Sequence, residues 1–363
     1  MIAAATREVG HRAMTVLARP AARRRAALLL LGVMLAVAVL LSLGIGAVSV
    51  PPAEVVRILA SWLSGTAADD THHRIIVDLR LPRVLLAGLV GAGLSIAGAA
   101  FQGLFRNPMA DPFVIGVSGG AALGAALAVL LGLHVDLLGF GAVPVLAFAG
   151  AVGAVVLVHG LAGGSGRLSV SVMSLLLAGV AVAALTQAVV SLLVYLSGER
   201  LRPIVFWQLG SLGGATWTEV GVMAIYAGVG FALLTAAAPT LNALLLGEEA
   251  AHFLGIHPGR ARLQLLAAGA LMTAAAVSVS GVIGFVGLIV PHGVRLVIGS
   301  DHRGLLPAAA LAGSTFLVIC DTAARSLIAP AEIPLGIFTA LAGAPFFLYL
   351  LRRHGRSLGR SGL

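Results

Sequence analysis

The stretch LPRVLLAGLVGAGLSIAGAAFQGLF, Leu81–Phe105, carries one charge, Arg83, in its first turn and is otherwise apolar or small. A helix of this length, at about 1.5 Å per residue, is longer than the roughly 30 Å hydrocarbon core of a bilayer. Nothing in it alternates as a half-buried strand would. Working outward, the rest of the chain has the same character: 59% of its 363 residues are hydrophobic and only 10% are charged. That composition describes an all-α integral membrane protein rather than a soluble fold. The 47 glycines and 5% aromatics predict helices that pack closely through small side chains, because lipid already solvates apolar bulk.

The same ruler predicts further spans at Ala26–Val48, Pro112–Leu133, Ala142–Leu161, Leu168–Leu196, Val220–Pro239, Leu263–Ser280, Val282–Ile298, Leu305–Ala324 and Ile333–Leu351, about ten in all. Arg23, Arg24 and Arg25 precede the first. Its length exceeds a signal-peptide core and no small-residue cleavage site follows, so it reads as a retained anchor. The chain thus divides into a basic segment, 1–25, a membrane domain, 26–351, and a basic tail, 352–363. With the N-terminus inside, sixteen of the 23 arginines fall on the cytoplasmic side and seven outside. That bias accounts for the +9 net charge as a topology signal, with both termini cytoplasmic and no nucleic acid implied. Two external segments, 49–80 and 197–217, read as surface-lying stretches, the first with a short apolar-faced helix around Val55, Ile58 and Trp62.

Several chemistries are excluded. There is no lysine anywhere, so neither a Schiff base nor a phosphate-binding P-loop can form. The lone cysteine, Cys320, forms no intrachain disulfide. Asp321 is the one carboxylate well inside a span, and Arg325 follows one turn later, so the two either pair plainly at the interface or the acid orients Arg325 toward an external partner. Ser169, Ser171 and Ser174 either line a narrow pore or bond back to their own helix. His72 and His73 read as a solvated pair, His134 as a loop residue and His159 as a helix end. His292 lacks the co-ligands a metal or haem requires, so no metal site is expected. Gly163–Gly166 reads as a turn, and the recurrences Gly88, Gly91 and Gly281, Gly284, Gly287 as close helix contacts.

The internal loop 241–262 is more pointed. Leu244 to Gly255 reads as a short helix ended by Gly255, with Glu248 and Glu249 in its first turn and Phe253 and Leu254 offered outward. Apolar knobs beside carboxylates suit a groove on a partner subunit.

These residues, with LPRVLLAG (Leu81–Gly88), QGLFRNPMADP (Gln102–Pro112), LGEEA (Leu246–Ala250), GFVGLIVPH (Gly284–His292), DHRGLLP (Asp301–Pro307), AEIPLG (Ala331–Gly336) and GAPF (Gly343–Phe346), resemble the FecCD-type permeases. These are membrane subunits of type II ABC importers for iron-siderophores, haem and cobalamin. The resemblance covers nearly all of the chain after the first span. It implies the ten-helix fold, a homodimer around one pathway, two ATPase subunits inside and a substrate-binding protein outside. It also implies that Arg80, Arg83 and Arg325 hold carboxylates of the binding protein, with Asp321 supporting them. By the same resemblance Asn107, Met109, Ser171 and Val172 are inner-gate positions, although relatives carry a hydroxyl residue where Val172 stands. Gly247, Glu248, Glu249, Phe253 and Leu254 fall on the ATPase-coupling helix. ATP and Mg would then be bound by the ATPase, with no cofactor in this chain, which would be no enzyme itself. The expected cargo is a bulky iron chelate, a ferric siderophore or haem, with cobalamin as the alternative. An ATPase-independent carrier is disfavoured by the scarcity of buried carboxylates, and a haem-bearing redox subunit by the lack of paired ligands.

Overall fold

The computed structural model describes residues 2–66, 70–133, 140–163 and 171–358. His134, Gly164, Ser165, Gly166 and Ser169 lie outside the described residues. The chain is all-helical, with spans α1 (Ile2–Gly44, its apolar part Arg23–Gly44), α3 (Thr71–Leu104), α4 (Val117–Leu130), α5 (Ala142–Gly163), α6 (Val172–Leu196), α8 (Trp217–Ala236), α11 (Pro258–Ser280), α12 (Val286–Ile298), α13 (His302–Ser326) and α14 (Leu335–Leu358). Shorter helices lie between them: α2 (Pro52–Leu63), α7 (Leu201–Gln208), α9 (Ala238–Leu245) and α10 (Glu248–Phe253). Among the described residues ten apolar helices match the sequence reading, and seven of them are long enough to cross a bilayer alone.

The differences lie in where helices begin. α3 starts at Thr71, so the last part of the segment 49–80 is helix rather than a surface stretch. Its turn over Arg74–Arg80 is widened: the Leu81 N–H bonds to Ile76 O, five residues back. One such residue per turn rotates the face that follows, and Ile76, Val77 and Arg80 all point inward. α4 is shorter than expected because Pro112–Ile115 forms a tight turn ended by Gly116 at φ +83°, where only glycine is unstrained. α12 likewise starts at Val286, since residues 281–285 run without helix. Non-helical backbone at such depth is tolerated where protein covers it, and Ile283 is buried.

The centre of the fold is α3, packed by α13, α11, α12 and α8. Its glycines make that possible: a Cβ on Gly98 would stand 1.9 Å from Gly287 O, and one on Gly91 2.3 Å from Gly313 O. The close-contact reading therefore holds for Gly91, Gly287 and Gly281, where a Cβ would stand 2.2 Å from Trp207 O, whereas a Cβ on Gly88 would meet only Ser314 Cβ at 4.0 Å and one on Gly284 nothing within 4 Å. Gln102, buried on α3, donates from Nε2 to Gly287 O at 3.3 Å and Leu288 O at 3.0 Å, which fixes α12 against it. α1 and α6 sit at the edge with most of their surface outward. The external helix α2 is joined to the start of α8 by Trp62 stacked on Trp217, ring centroids 5.8 Å apart.

Candidate functional site

At one end of the bundle α3 and α13 bring Arg80, Arg83, Asp321 and Arg325 together. Asp321 is 1% exposed. Arg83 Nε donates to both its oxygens at 3.0 and 3.1 Å, and Arg83 Nη2 lies 2.9 Å from Oδ1. The pairing expected within α13 is present but looser, with Arg325 Nε 3.6 Å from Asp321 Oδ2. Arg83 reaches a second acid, Glu332, from Nη1 at 2.8 and 3.0 Å. Sequence reasoning missed Glu332, although it stands in the AEIPLG motif, because nothing local says that the 328–334 segment folds over Arg83.

Arg80 and Arg325 are not displayed as expected; each is 8% exposed. Arg80 Nη1 donates to Leu43 O at 2.7 Å and to Gly44 O at 3.2 Å, and Nη2 donates to Val48 O. Arg325 Nη2 donates to Ser42 O and to Ser42 Oγ. The last carbonyls of a helix lack intrahelical donors and carry the negative end of its dipole. Two guanidiniums from other helices therefore cap α1. Gly46 is required beside them: a Cβ there would meet Arg80 Nη2 at 2.4 Å. Above this junction opens a cavity of about 580 Å³, lined by Gly46, Val48, Arg80, Arg83, Arg325 and Glu332.

At the other end of α3, Asn107 is exposed and its Oδ1 accepts from Met109 N at 2.9 Å, closing a tight turn that holds Met109 half-buried. Ser171 is the N-cap of α6, accepting from Ser174 N at 3.0 Å with its hydroxyl 2.8 Å from that of Ser174. The two serines thus bond to each other and to the helix start, and Val172 is the first helical residue, half-buried.

The segment expected to meet an ATPase departs from the single helix expected over Leu244–Gly255. Gly247, at φ +117°, breaks it into α9 and α10, and Gly255, at φ +79°, ends the second piece. Glu248 Oε1 lies 2.6 Å from Arg262 Nη2 on α11. The hydrogen bond and positive charge of Arg262 hold the Glu248 carboxyl below the ordinary carboxylate range. α10 is thereby tied to a span, while Phe253 is 88% and Leu254 62% exposed. Nearby, Asn242 on α9 donates to Asp301 Oδ1 at 2.7 Å and accepts from His302 N at 3.0 Å, linking the segment to α13 as well.

No group of three or more His, Cys, Asp or Glu side chains stands ready for a metal among the described residues. His292 is buried and meets Phe346 edge-on, centroids 6.4 Å apart. His72 is held by Glu54 at 2.9 Å rather than simply solvated.

Residues 34–353, which take in both clusters, match the FecCD transport family. The chain belongs to that family. Over 331 residues it is 44% identical to a hemin transport system permease protein of Yersinia pestis, covering 90% of this chain and 96% of that one. Over 283 residues it is 50% identical to a cobalamin import system permease protein of Halobacterium salinarum, covering 78% and 74%. A solved structure, described as an inward-facing conformation of a metal-chelate type ABC transporter, superposes with a TM-score of 0.78 at 34% identity, over 90% of this chain and 98% of that one. The protein is accordingly a multi-pass membrane permease subunit of an ABC importer.

Proposed function

We propose that this permease imports a bulky metal chelate as a homodimer, with two ATPase subunits on the cytoplasmic side and a substrate-binding protein outside. The observation that carries the reading is α10, a short helix pinned by Glu248 to Arg262 with Phe253 and Leu254 left exposed. A helix so anchored transmits a push from a partner to the spans instead of swinging freely. Both termini lie in the cytoplasm of a bacterial or archaeal cell, in line with the arginine bias. ATP and Mg belong to the ATPase, and this chain holds no cofactor and makes or breaks no bond.

In this reading Arg83, held at the cavity by Asp321 and Glu332, receives a carboxylate of the binding protein. Arg80 and Arg325, spent on α1, shape the floor and raise its positive potential. The turn at Asn107 and Met109 and the start of α6 at Ser171 and Val172 form the inner gate. ATP binding moves α10, shifts α6 and opens the gate, while affinity for cargo stays with the binding protein.

The first cargo class is an iron chelate, haem or a ferric siderophore, supported by the hemin permease relative matched over nearly its whole length. The second is cobalamin, favoured by the relative at 50% identity. The test reconstitutes the permease with its ATPase and binding protein in liposomes and measures uptake of haem, a ferric siderophore and cobalamin in parallel. Uptake of one ligand that stops without ATP supports the reading. Uptake that persists without the ATPase refutes it, and uptake of cobalamin alone selects the second cargo.

A further inference from the structure

At the end of the bundle that carries α10, one side-chain amide ties α9 to the start of α13. Asn242 donates from Nδ2 to Asp301 Oδ1 at 2.7 Å, and its Oδ1 accepts from His302 N at 3.0 Å. The same Oδ1 lies 2.8 Å from His302 Nδ1. An ionised carboxylate only accepts and a backbone N–H only donates, so the amide can be turned one way alone, and Nδ1 carries the imidazole proton. His302 is 1% exposed. Its ring is wedged against Gly103 at the end of α3, where a Cβ would stand 2.5 Å from His302 Nε2 and 3.3 Å from Leu241 Cδ2 of α9. Asp301 also caps α13, accepting from Arg303 N at 3.1 Å. A further contact reaches the same turn from α1. Pro307 has no N–H, which leaves the carbonyl four residues back, Arg303 O, without its helix donor. Arg24 Nη2 donates to that oxygen, and Arg24 Nη1 lies 3.9 Å from Asp301 Oδ2. Gly304 leaves the room, since a Cβ there would stand 2.6 Å from Arg24 Nε.

α13 then runs unbroken to Ser326, about 37 Å for its 25 residues at about 1.5 Å each. Its far end holds Asp321 and Arg325 and is bonded to α1 a second time, through Arg325 Nη2 to Ser42 O and Thr322 Oγ1 to Ser42 Oγ at 2.7 Å. α1 and α13 are thus fastened at both ends. Apolar contacts let packed helices slide past one another in small shear steps. The directional bonds from Asn242 to two consecutive residues oppose such sliding between α9 and α13. Coupling over such a distance travels through bonded networks and rigid helices together. We infer that Asn242, with Asp301 and His302, is the positioning contact that passes a displacement of α10 into α13, so that the ATPase side and the junction of Asp321 with Arg83 and Arg325 shift as one. The inference rests on the importer reading and deepens it, naming the residues through which the nucleotide state of the ATPase sets the affinity for the binding protein.

Coupling between two sites is measured as a ratio of affinities. The permease is assembled with its ATPase in nanodiscs, and the Kd of the binding protein is measured without nucleotide and with a non-hydrolysable ATP analogue. For the parent chain the two values are expected to differ by at least about tenfold. Asn242→Asp sets two carboxylates against each other and should bring the ratio below about threefold. Asp301→Asn alone should keep the parent ratio, because its amide oxygen still accepts from Asn242 and an asparagine caps a helix about as well as the acid. The double variant, Asn242→Asp with Asp301→Asn, puts a donor opposite the carboxylate again and should restore the ratio. Only assembled complexes are read, so a variant that merely folds less well lowers the amount of complex and leaves the ratio alone. Where Asn242→Asp does not assemble, Asn242→Ser, which has no amide to offer Asp301, is read by the same ratio. An unchanged ratio in the Asn242 variant, a loss in Asn242→Asp that the double variant does not restore, or a parent chain with equal affinities in both states overturns the inference. A parent that imports with ATP while the Asn242 variant keeps its ratio sinks this inference alone; a permease that binds no ATPase sinks the importer reading with it.

Discussion

Replacing Asp321 by Asn removes the buried charge that two guanidiniums, Arg83 and Arg325, share. The carboxylate is 1% exposed, and the side chains of Arg83 and Arg325 are 12% and 7% exposed. Losing one partner of a buried ion pair costs about 3–5 kcal/mol, because the remaining charge is left uncompensated. Arg83 keeps Glu332 at 2.8 Å, whereas Arg325 keeps only Ser42. The expected loss therefore lies at the lower end, about 3 kcal/mol. Glu332 binds the same Arg83 but is 45% exposed, so Glu332→Gln should cost less than about 1 kcal/mol. The assay is reversible unfolding in mixed micelles, driven by SDS and followed by circular dichroism, for Asp321→Asn, Arg83→Gln, the double variant and Glu332→Gln. Asp321 and Arg83 touch, so their effects should not add, with a coupling of about 1–3 kcal/mol. An Asp321→Asn loss no larger than that of Glu332→Gln, or strict additivity with Arg83→Gln, would refute the buried junction.

Phe253→Ala with Leu254→Ala should leave unfolding unchanged, since both side chains are exposed, yet reduce ATP-driven uptake in liposomes; full uptake would remove α10 as the ATPase contact. Gly98→Ala should destabilise by about 1–3 kcal/mol or more through collision with Gly287 O, whereas Gly221→Ala, with nothing within 4 Å, should be neutral or gain about 0.5 kcal/mol; thermal melts of the two variants check the contrast. Glu248 titrates below its ordinary value in the folded protein, so the stability it contributes is present above its unfolded pKa and is lost as pH falls through the lowered one. Acid should therefore loosen α10, read as faster protease nicking of 247–255 at low pH, and Glu248→Gln should be loose at neutral pH already.

Hydropathy is a local property, so the spans could be read directly: a run such as Ala142–Gly163 needs no tertiary information to be recognised as apolar. Helix starts were read less well where a turn depends on remote packing. The widened turn before Leu81 closes on Ile76 O within its own helix, and the break before α12 follows a point where Ser211 N–H, from a remote segment, donates to Ser280 O at 2.9 Å. A short helix does lie within Leu244–Gly255, but its break at Gly247 was missed, because a glycine there reads equally as a helix residue. Gln102 gave no sign of its role, since its acceptors, the carbonyls of Gly287 and Leu288, arrive from a distant helix.

Sequence alone determined a membrane chain of about ten apolar spans with no lysine for a P-loop, because length, apolarity and residue type are read position by position, and its motifs carried the resemblance to the FecCD permeases. It also marked the arginines and the acid that gather at one end. Only the tertiary structure decided how those charges are spent. A guanidinium can be buried only where acceptors meet it, and Arg80 finds them on α1, 37 positions away at Leu43 O, while Asp321 draws Arg83 from another helix. No local pattern encodes such meetings, since the fold alone brings their partners together.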